Sequence, residues 1–398
     1  MRTSNWIAYV GPFPFPWGQA GSRRMAGIAR SLAQAGYSVV VAGGNDLPAA
    51  EQNLNEGEPK GTIRYVGVGE SPSAGMSSFK KFWRVFVEWG GKTVQWLDRQ
   101  PSKPSHVVVY GGSAQYMLRL LPWCKRHGIP LIVDVVEWYD PRQMKGGRFG
   151  PFYLNAQFAL RYLYPRCDGV IAISSLLENH YRTLGCKVVR IPPSLDVQAN
   201  GNLFHLKDPA APLVLLYAGT PGRKDLLLHV IEAVEALDAT GTRLRLKVLG
   251  PTLGQLKASY GRSEFAPSIE VLGHVNQVEI AQHIRLADLT VLLREPARFA
   301  NAGFPTKLVE SLANGTPVIV NLTSDIGMYI RDGAEGLVCH DCSVRALTLA
   351  IERALELSSL QLQAMRHSAI EQAQRSFDFR AHSGELHSFF KSTERVSS

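Results

Sequence analysis

Between Ala302 and Asp332 the chain sets a lysine and a glutamate, Lys307 and Glu310, one helical turn apart behind a Gly303-Phe304-Pro305 loop. Pro305 or Thr306 can open a helix there, because proline tolerates the first helical position. A helix start offers unpaired N–H groups and the positive end of the dipole to an anion. Lys307 adds a full charge, and Glu310 is placed to accept hydrogen bonds from hydroxyls. The combination suits a sugar nucleotide, with the diphosphate at the helix mouth and the ribose diol on the glutamate. An ordinary αβ unit of a parallel sheet accounts for the same pattern without a ligand.

A second set of charges lies in Gly219-Thr220-Pro221-Gly222-Arg223-Lys224-Asp225. Arg223 and Lys224 stand where the helix dipole would repel them, so a solvated turn is the poorer explanation. A glycine-bearing turn with two cations fits a diphosphate clamp. It matches neither a Walker A loop nor the G-x-G-x-x-G fingerprint, which removes support from kinases and dehydrogenases. Nearer the start, Gly18, in the Trp17–Ser22 turn, would let backbone approach a ligand. Asp134, Glu137 and Asp140 follow a buried strand. Asp134 and Asp140 read as turn and solvation residues, and Glu137 as the polar contact that orients an acceptor hydroxyl. The sequence contains no D-x-D and no histidine cluster with ligand spacing. No metal site is indicated, so the basic clamp must carry the diphosphate charge.

These side chains need a scaffold, and apolar runs alternate with helical stretches along most of the chain. Strands are expected at 6–10, 38–42, 63–68, 107–110, 130–136 and 169–173, with a helix over 21–35. After a polar loop at 194–212 the alternation restarts, with strands at 213–218, 244–249, 269–272, 289–293 and 318–320 and helices at 225–238 and 277–286. The stretch 302–332 itself reads as loop, helix, buried strand, loop, helix. Such alternation predicts doubly wound parallel sheets in two Rossmann-like halves across a cleft, with ligands at the carboxyl ends of the strands. The domain boundary is placed at 198/199.

A length of 398 residues fits two domains, and 45% apolar with 19% charged residues describes a globular chain. No apolar run is long enough to span a bilayer. The first residues read as a strand, not a signal peptide, and five dispersed cysteines point to a reducing, cytoplasmic compartment. Cys339-His340-Asp341-Cys342 is one C-x-x-C pair with no second pair, and is read as chance. The net charge of +9 and pI near 9.3 call for anionic partners. No zinc-finger spacing, RNP-like pattern or long basic run supports nucleic acid.

Taken together and in order, these motifs resemble the retaining GT-B glycosyltransferases of family 4. The likeness runs through Gly18–Gly21, Asp168–Ser174, Ile191–Ser194, Tyr217–Asp225, Leu272–Val275, Gly303–Val320 and Ile330–Val338. It implies an α/β GT-B fold with an acceptor-binding domain at 1–198, a nucleotide-sugar-binding domain at 199–376 and a C-terminal helix, 377–398, crossing back to the first. It also implies that Lys224, with Arg223, neutralises the diphosphate while Glu310 binds the ribose. The backbone of Gly303, Phe304 and Thr306 would meet diphosphate and sugar, Val275 would lie beside the base, and Gly18 would face the donor. Gly219, Thr220, Ala302 and Lys307 complete the expected donor site. The family often carries a glutamate where this chain has Ala302, which leaves the sugar open. The implied reaction moves a sugar from a UDP-sugar to a saccharide hydroxyl in bacterial polysaccharide synthesis, with no metal or other cofactor. The acceptor would be carried on polyprenyl diphosphate.

Ser77–Gln100 interleaves Lys80, Lys81, Arg84 and Lys92 with Phe79, Phe82, Trp83, Phe86, Trp89 and Trp96. This suits an interfacial helix on the anionic inner face of the cytoplasmic membrane. The alternative is a helix whose aromatics fill its own domain, with Gly90-Gly91 interrupting it. Two rival functions remain open: a sugar-nucleotide epimerase, and a catalytically weak pseudo-transferase that binds saccharide.

Overall fold

The computed structural model describes residues 6–16, 20–46, 51–54, 60–72, 75–197, 210–219 and 225–395, with backbone alone at 143, 277 and 278. Two compact units emerge: Met1–Ser194 with Phe379–Ser398, and Leu195–Asp378. The boundary therefore falls at 194/195, not 198/199. The reason is local: Leu195 N–H donates to the Phe377 carbonyl at 2.8 Å and Val197 N–H to Asp378 at 3.0 Å, which ties this stretch to the second unit.

In the first unit the strands are β1 (Trp6–Val10), β2 (Ser38–Gly43), β3 (Gln52–Asn53), β4 (Ile63–Gly67), β5 (His106–Tyr110), β6 (Leu131–Val135), β7 (Gly169–Ala172) and β8 (Val188–Arg190). Among the described residues they form one sheet in the order β3-β4-β2-β1-β5-β6-β7-β8. Only the β3–β4 pair is antiparallel; the rest pair in parallel, Trp6 opposite Ser38 and Val107 opposite Leu131. The near-continuous Val and Ile content of these strands follows from burial on both faces. Helix Ala20–Gln34 lays Met25, Ile28 and Leu32 on the sheet, and Leu386, Phe389 and Phe390 of helix Ser383–Thr393 complete the same core. Close fit enforces small residues there: a Cβ on Gly169 would lie 2.6 Å from the Phe389 ring.

The second unit holds β9 (Leu213–Ala218), β10 (Leu244–Leu249), β11 (Ile269–Gly273), β12 (Leu289–Leu292), β13 (Val318–Asn321) and β14 (Gly336–Cys339). Its described strands are all parallel in the order β11-β10-β9-β12-β13-β14, so the crossover point lies between β9 and β12. Both sheets are thus Rossmann-like. The second helix expected before Asp332 is instead a single 3₁₀ turn, Ile326–Met328, since the Asp332-Gly333 turn follows too soon for more. Among the described residues no helix is long and apolar enough to cross a membrane.

The stretch 77–100 divides as its glycines imply. Helix Ser78–Trp83 runs into a π-helical turn, Arg84–Glu88, and a new helix, Gly91–Arg99, starts after Gly90 at φ +87°. Glu70 fixes that start by accepting from Thr93 N–H and Thr93 Oγ1, each at 3.0 Å, in accord with the dipole. Burial still pushes the Glu70 carboxyl above the usual range. Trp89 turns inward to donate to the Glu70 carbonyl, and Trp96 packs edge-on against Trp6. Phe79, Phe82 and Trp83 stay exposed.

Candidate active site

In the second unit, charged groups gather where β9 and β12 end. Strand β9 gives way to Gly219 at φ +139°, and a Cβ there would come within 2.3 Å of the Lys307 side chain. Glycine is therefore required if Lys307 is to lie across the strand end. Lys307 Nζ donates to Tyr217 Oη at 2.9 Å, sits 4.3 Å from the centre of that ring and forms an ion pair with Asp225. Tyr217 Oη donates to the same carboxylate at 3.0 Å, and burial together with Asp225 drives the phenol's pKa upward. On the other side Arg294 Nε stands 3.8 Å from Asp225. Arg294 is itself held by Asn321, which accepts from its N–H and donates to its carbonyl, both at 2.8 Å. Two cations thus share one carboxylate at the carboxyl end of the sheet.

Helix Thr306–Ala313 starts beside this cluster with Pro305 as its N-cap. Leu308, Val309 and Leu312 bury its inner face, and Glu310 is half-buried one turn from the start. Asn314 and Gly315, at φ +67°, close the helix as the sequence implied. The preceding loop is anchored by side chains. The Phe304 ring packs against Tyr329 at 5.5 Å and Phe377 at 5.8 Å, while Ser324, at a left-handed φ of +55°, donates to the Gly303 carbonyl at 2.5 Å. A non-glycine residue keeps such a conformation only when its surroundings impose it, and here Asn301 also accepts from its N–H. Ala302 is completely buried, so a larger side chain at 302 would have to displace neighbours. Val275, half-buried, packs against the buried cluster of Leu216, Leu249, Ile284 and Ala287.

The structure therefore brings Gly219, Val275, Gly303, Phe304, Thr306, Lys307 and Glu310 to one end of the second sheet. Gly18, Thr220, Arg223 and Lys224 lie outside the described residues. The sequence alone assigns no role to Asp225, Arg294, Tyr217 or Ser324. A charged pair closing the apolar run into Arg294-Glu295, and an acid directly after Arg223-Lys224, were the available signals. Replacing Asp225 by Asn leaves Lys307 and the nearly buried Arg294 without their shared counter-charge. The expected cost is about 3 kcal/mol, seen as a lower urea midpoint at unchanged slope. An unshifted midpoint would show that the network contributes nothing.

In the first unit Glu137 is half-buried just beyond β6. Burial, then the charge of Glu137, raises the pKa of Tyr139; at the end of β5 burial, then Asp134, raises that of Tyr110, with Glu137 a smaller contributor. Asp140 caps the 3₁₀ turn Pro141–Gln143, accepting from Arg142 N–H at 2.8 Å, in line with its turn reading. Asp134 is different. It is fully buried, accepts from Tyr9 Oη at 2.6 Å and pairs with Arg24 at 2.9 Å. Its role is to hold a buried arginine, not to solvate a turn. Among the described residues no group of three or more His, Cys, Asp or Glu is placed to hold a metal ion. Cys339 is buried, and its thiol is pushed up to about 12.

Comparison with known proteins settles the family. The model described as "Glycosyl transferase 4-like domain" matches residues 20–193, and "Glycosyl transferases group 1" matches 204–376. The chain belongs to glycosyltransferase family 4. Similar curated proteins are the putative colanic acid biosynthesis glycosyltransferases WcaL of Salmonella typhimurium and Escherichia coli. Each is 24% identical, and each match covers 58% of this chain and 58% of the relative. The match thus spans under two thirds of those proteins. Among solved structures, sucrose-phosphate synthase from Thermosynechococcus elongatus superposes with a TM-score of 0.72 at 15% identity, covering 97% of this chain and 98% of that one. Anabaena Alr3699/HepE in complex with UDP gives 0.67 at 14% identity, covering 97% and 99%. These likenesses establish the GT-B fold for this family member.

Proposed function

We propose that this glycosyltransferase moves a sugar from a UDP-sugar to a hydroxyl of a saccharide acceptor, with the anomeric configuration retained. One observation carries the proposal. Lys307, Arg294 and the start of helix Thr306–Ala313 converge at the carboxyl end of the second sheet, with Glu310 one turn on. That end is where Rossmann-like sheets take nucleotides, and a fold neighbour is described with UDP. The diphosphate would lie on Lys307, the helix N–H groups and the Arg223-Lys224 pair, and Glu310 would accept from the ribose hydroxyls. As the bond from the anomeric carbon to the departing phosphate oxygen breaks, the acceptor oxygen bonds to that carbon on the same face. The acceptor proton passes to the leaving phosphate. The protein then stabilises charge on that phosphate and fixes geometry, a task for which its cations suffice without a metal ion. Glu137 would orient the acceptor hydroxyl. The relatives named for colanic acid biosynthesis support a polysaccharide acceptor; in this reading the acceptor is carried on polyprenyl diphosphate and met in the cytoplasm at the inner face of the membrane.

Nucleotides screened by thermal shift test the donor first. UDP present at about a hundred times its Kd should add roughly 2.7 kcal/mol of stability. Labelled UDP-sugar with and without saccharide acceptor then tests transfer. Donor turnover that ignores acceptor would replace this reading with an epimerase, and nucleotide binding without turnover would leave a pseudo-transferase. Glu310→Ala is expected to raise the donor KM roughly 10- to 100-fold with little change in kcat, the loss of hydrogen bonds to a charged group. An unaltered KM would remove Glu310 from the ribose.

A further inference from the structure

The exposed aromatics of 77–88 are joined by a second segment far away in sequence. Phe82 stacks on Phe86 at 4.3 Å, and Phe152 packs edge-on against both, at 6.2 and 5.0 Å. Phe152 belongs to helix Pro151–Phe158, which Phe149 precedes. These side chains are not core: Phe79 is 73% exposed, Trp83 50% and Phe149 86%. Scattered exposed hydrophobics need no explanation, but a contiguous aromatic face does. The same two segments, 76–88 and 144–163, carry Lys80, Lys81, Arg84, Lys145, Arg148 and Arg161 against one acid, Glu88. Glu88 is already paired with Arg84. A cavity of about 420 Å³ opens among Met76, Phe79, Lys80, Trp83, Arg84 and Glu88, apolar within and cationic at its edge.

We infer that this two-segment face of the first unit binds an anionic lipid surface, with Phe79, Trp83 and Phe149 entering the interface and Lys80, Lys81, Lys145 and Arg148 meeting the headgroups. The charges choose the occupant. A symmetric pair of chains would set identical patches against one another, and so lysine against lysine. An acidic bilayer instead neutralises them while the aromatic rings take up the headgroup level. The inference extends the proposed lipid-carried acceptor, which such a face would present at the membrane. It is tested without donor or acceptor, so that either can fail alone.

The test is co-sedimentation of the full chain with phosphatidylcholine vesicles and with phosphatidylcholine–phosphatidylglycerol vesicles, together with size-exclusion chromatography. Binding should be strong only with phosphatidylglycerol. Neutralising two cations in K80Q/K81Q should weaken it roughly 25-fold, about fivefold per charge near an anionic surface. F79S/W83S should abolish pelleting with either vesicle. All four side chains are exposed, so melting temperatures should stay at the wild-type value and exclude misfolding as the cause. A wild-type chain left in the supernatant, variants that pellet as well as wild type, or a dimer that F79S/W83S disperses would each overturn the inference.

Discussion

Lys224→Ala is expected to lower kcat by about 10²–10³, the loss of roughly 3–4 kcal/mol of charge stabilisation on a leaving group. Lys224 adjoins Asp225, whose carboxylate already holds Lys307 and faces Arg294. In the described cluster Asp225 offsets one of those two cations, so in the proposed reading the incoming diphosphate would rely on Arg223 and Lys224 for much of its compensation. The donor KM should move less than kcat, because charge on the phosphate grows toward the transition state. Single-turnover measurement at saturating donor reads the chemical step directly. Turnover near wild type would withdraw Lys224 from the mechanism.

The second large effect is on stability. Asp134→Ala should cost about 3–5 kcal/mol, since it strands the buried Arg24 charge. Burial works against that charge, but the pairing with Asp134 outweighs it and raises the Arg24 pKa. Arg24 also donates to the carbonyls of Ile191 and Pro192, at 2.6 and 2.7 Å, so the pair fastens helix Ala20–Gln34 to the segment that leaves the first unit. Replacing both partners with apolar residues of similar volume, as in Arg24→Met with Asp134→Leu, should recover most of the loss. Equilibrium unfolding in urea measures both. A double variant as unstable as the single one would mean that packing, not charge, sets the cost.

The sequence disclosed what is periodic and local. Ser38–Gly43 is apolar after its first residue, and Leu244–Leu249 sets buried apolar residues against Arg245 and Lys247 before Val248 and Leu249; both alternate with helices, so their strands stand out. Val188–Arg190 and Gly336–Cys339 are too short for periodicity to mark them, although Gly336 sits inside the Ile330–Val338 motif. The GT-B architecture followed from motif order. Asp134 could not be read correctly because its partner Arg24 is 110 residues away, and nothing along the chain announces that pairing. The same holds for Phe152, whose neighbours Phe82 and Phe86 come from another helix. Lys307 and Glu310 were legible because one turn of helix joins them. The carboxylate that restrains Lys307 was not, since only folding brings Asp225 to it.

The placement of Phe379–Ser398 bears on how the protein is made. Leu386, Phe389 and Phe390 belong to the core of the first unit, but the ribosome supplies them after all of Leu195–Asp378. The second unit is contiguous and can fold as soon as it emerges, while the earlier-translated sheet waits with an apolar groove uncovered. During synthesis, then, the half made first is the half finished last, and holdase chaperones should engage it for most of that interval.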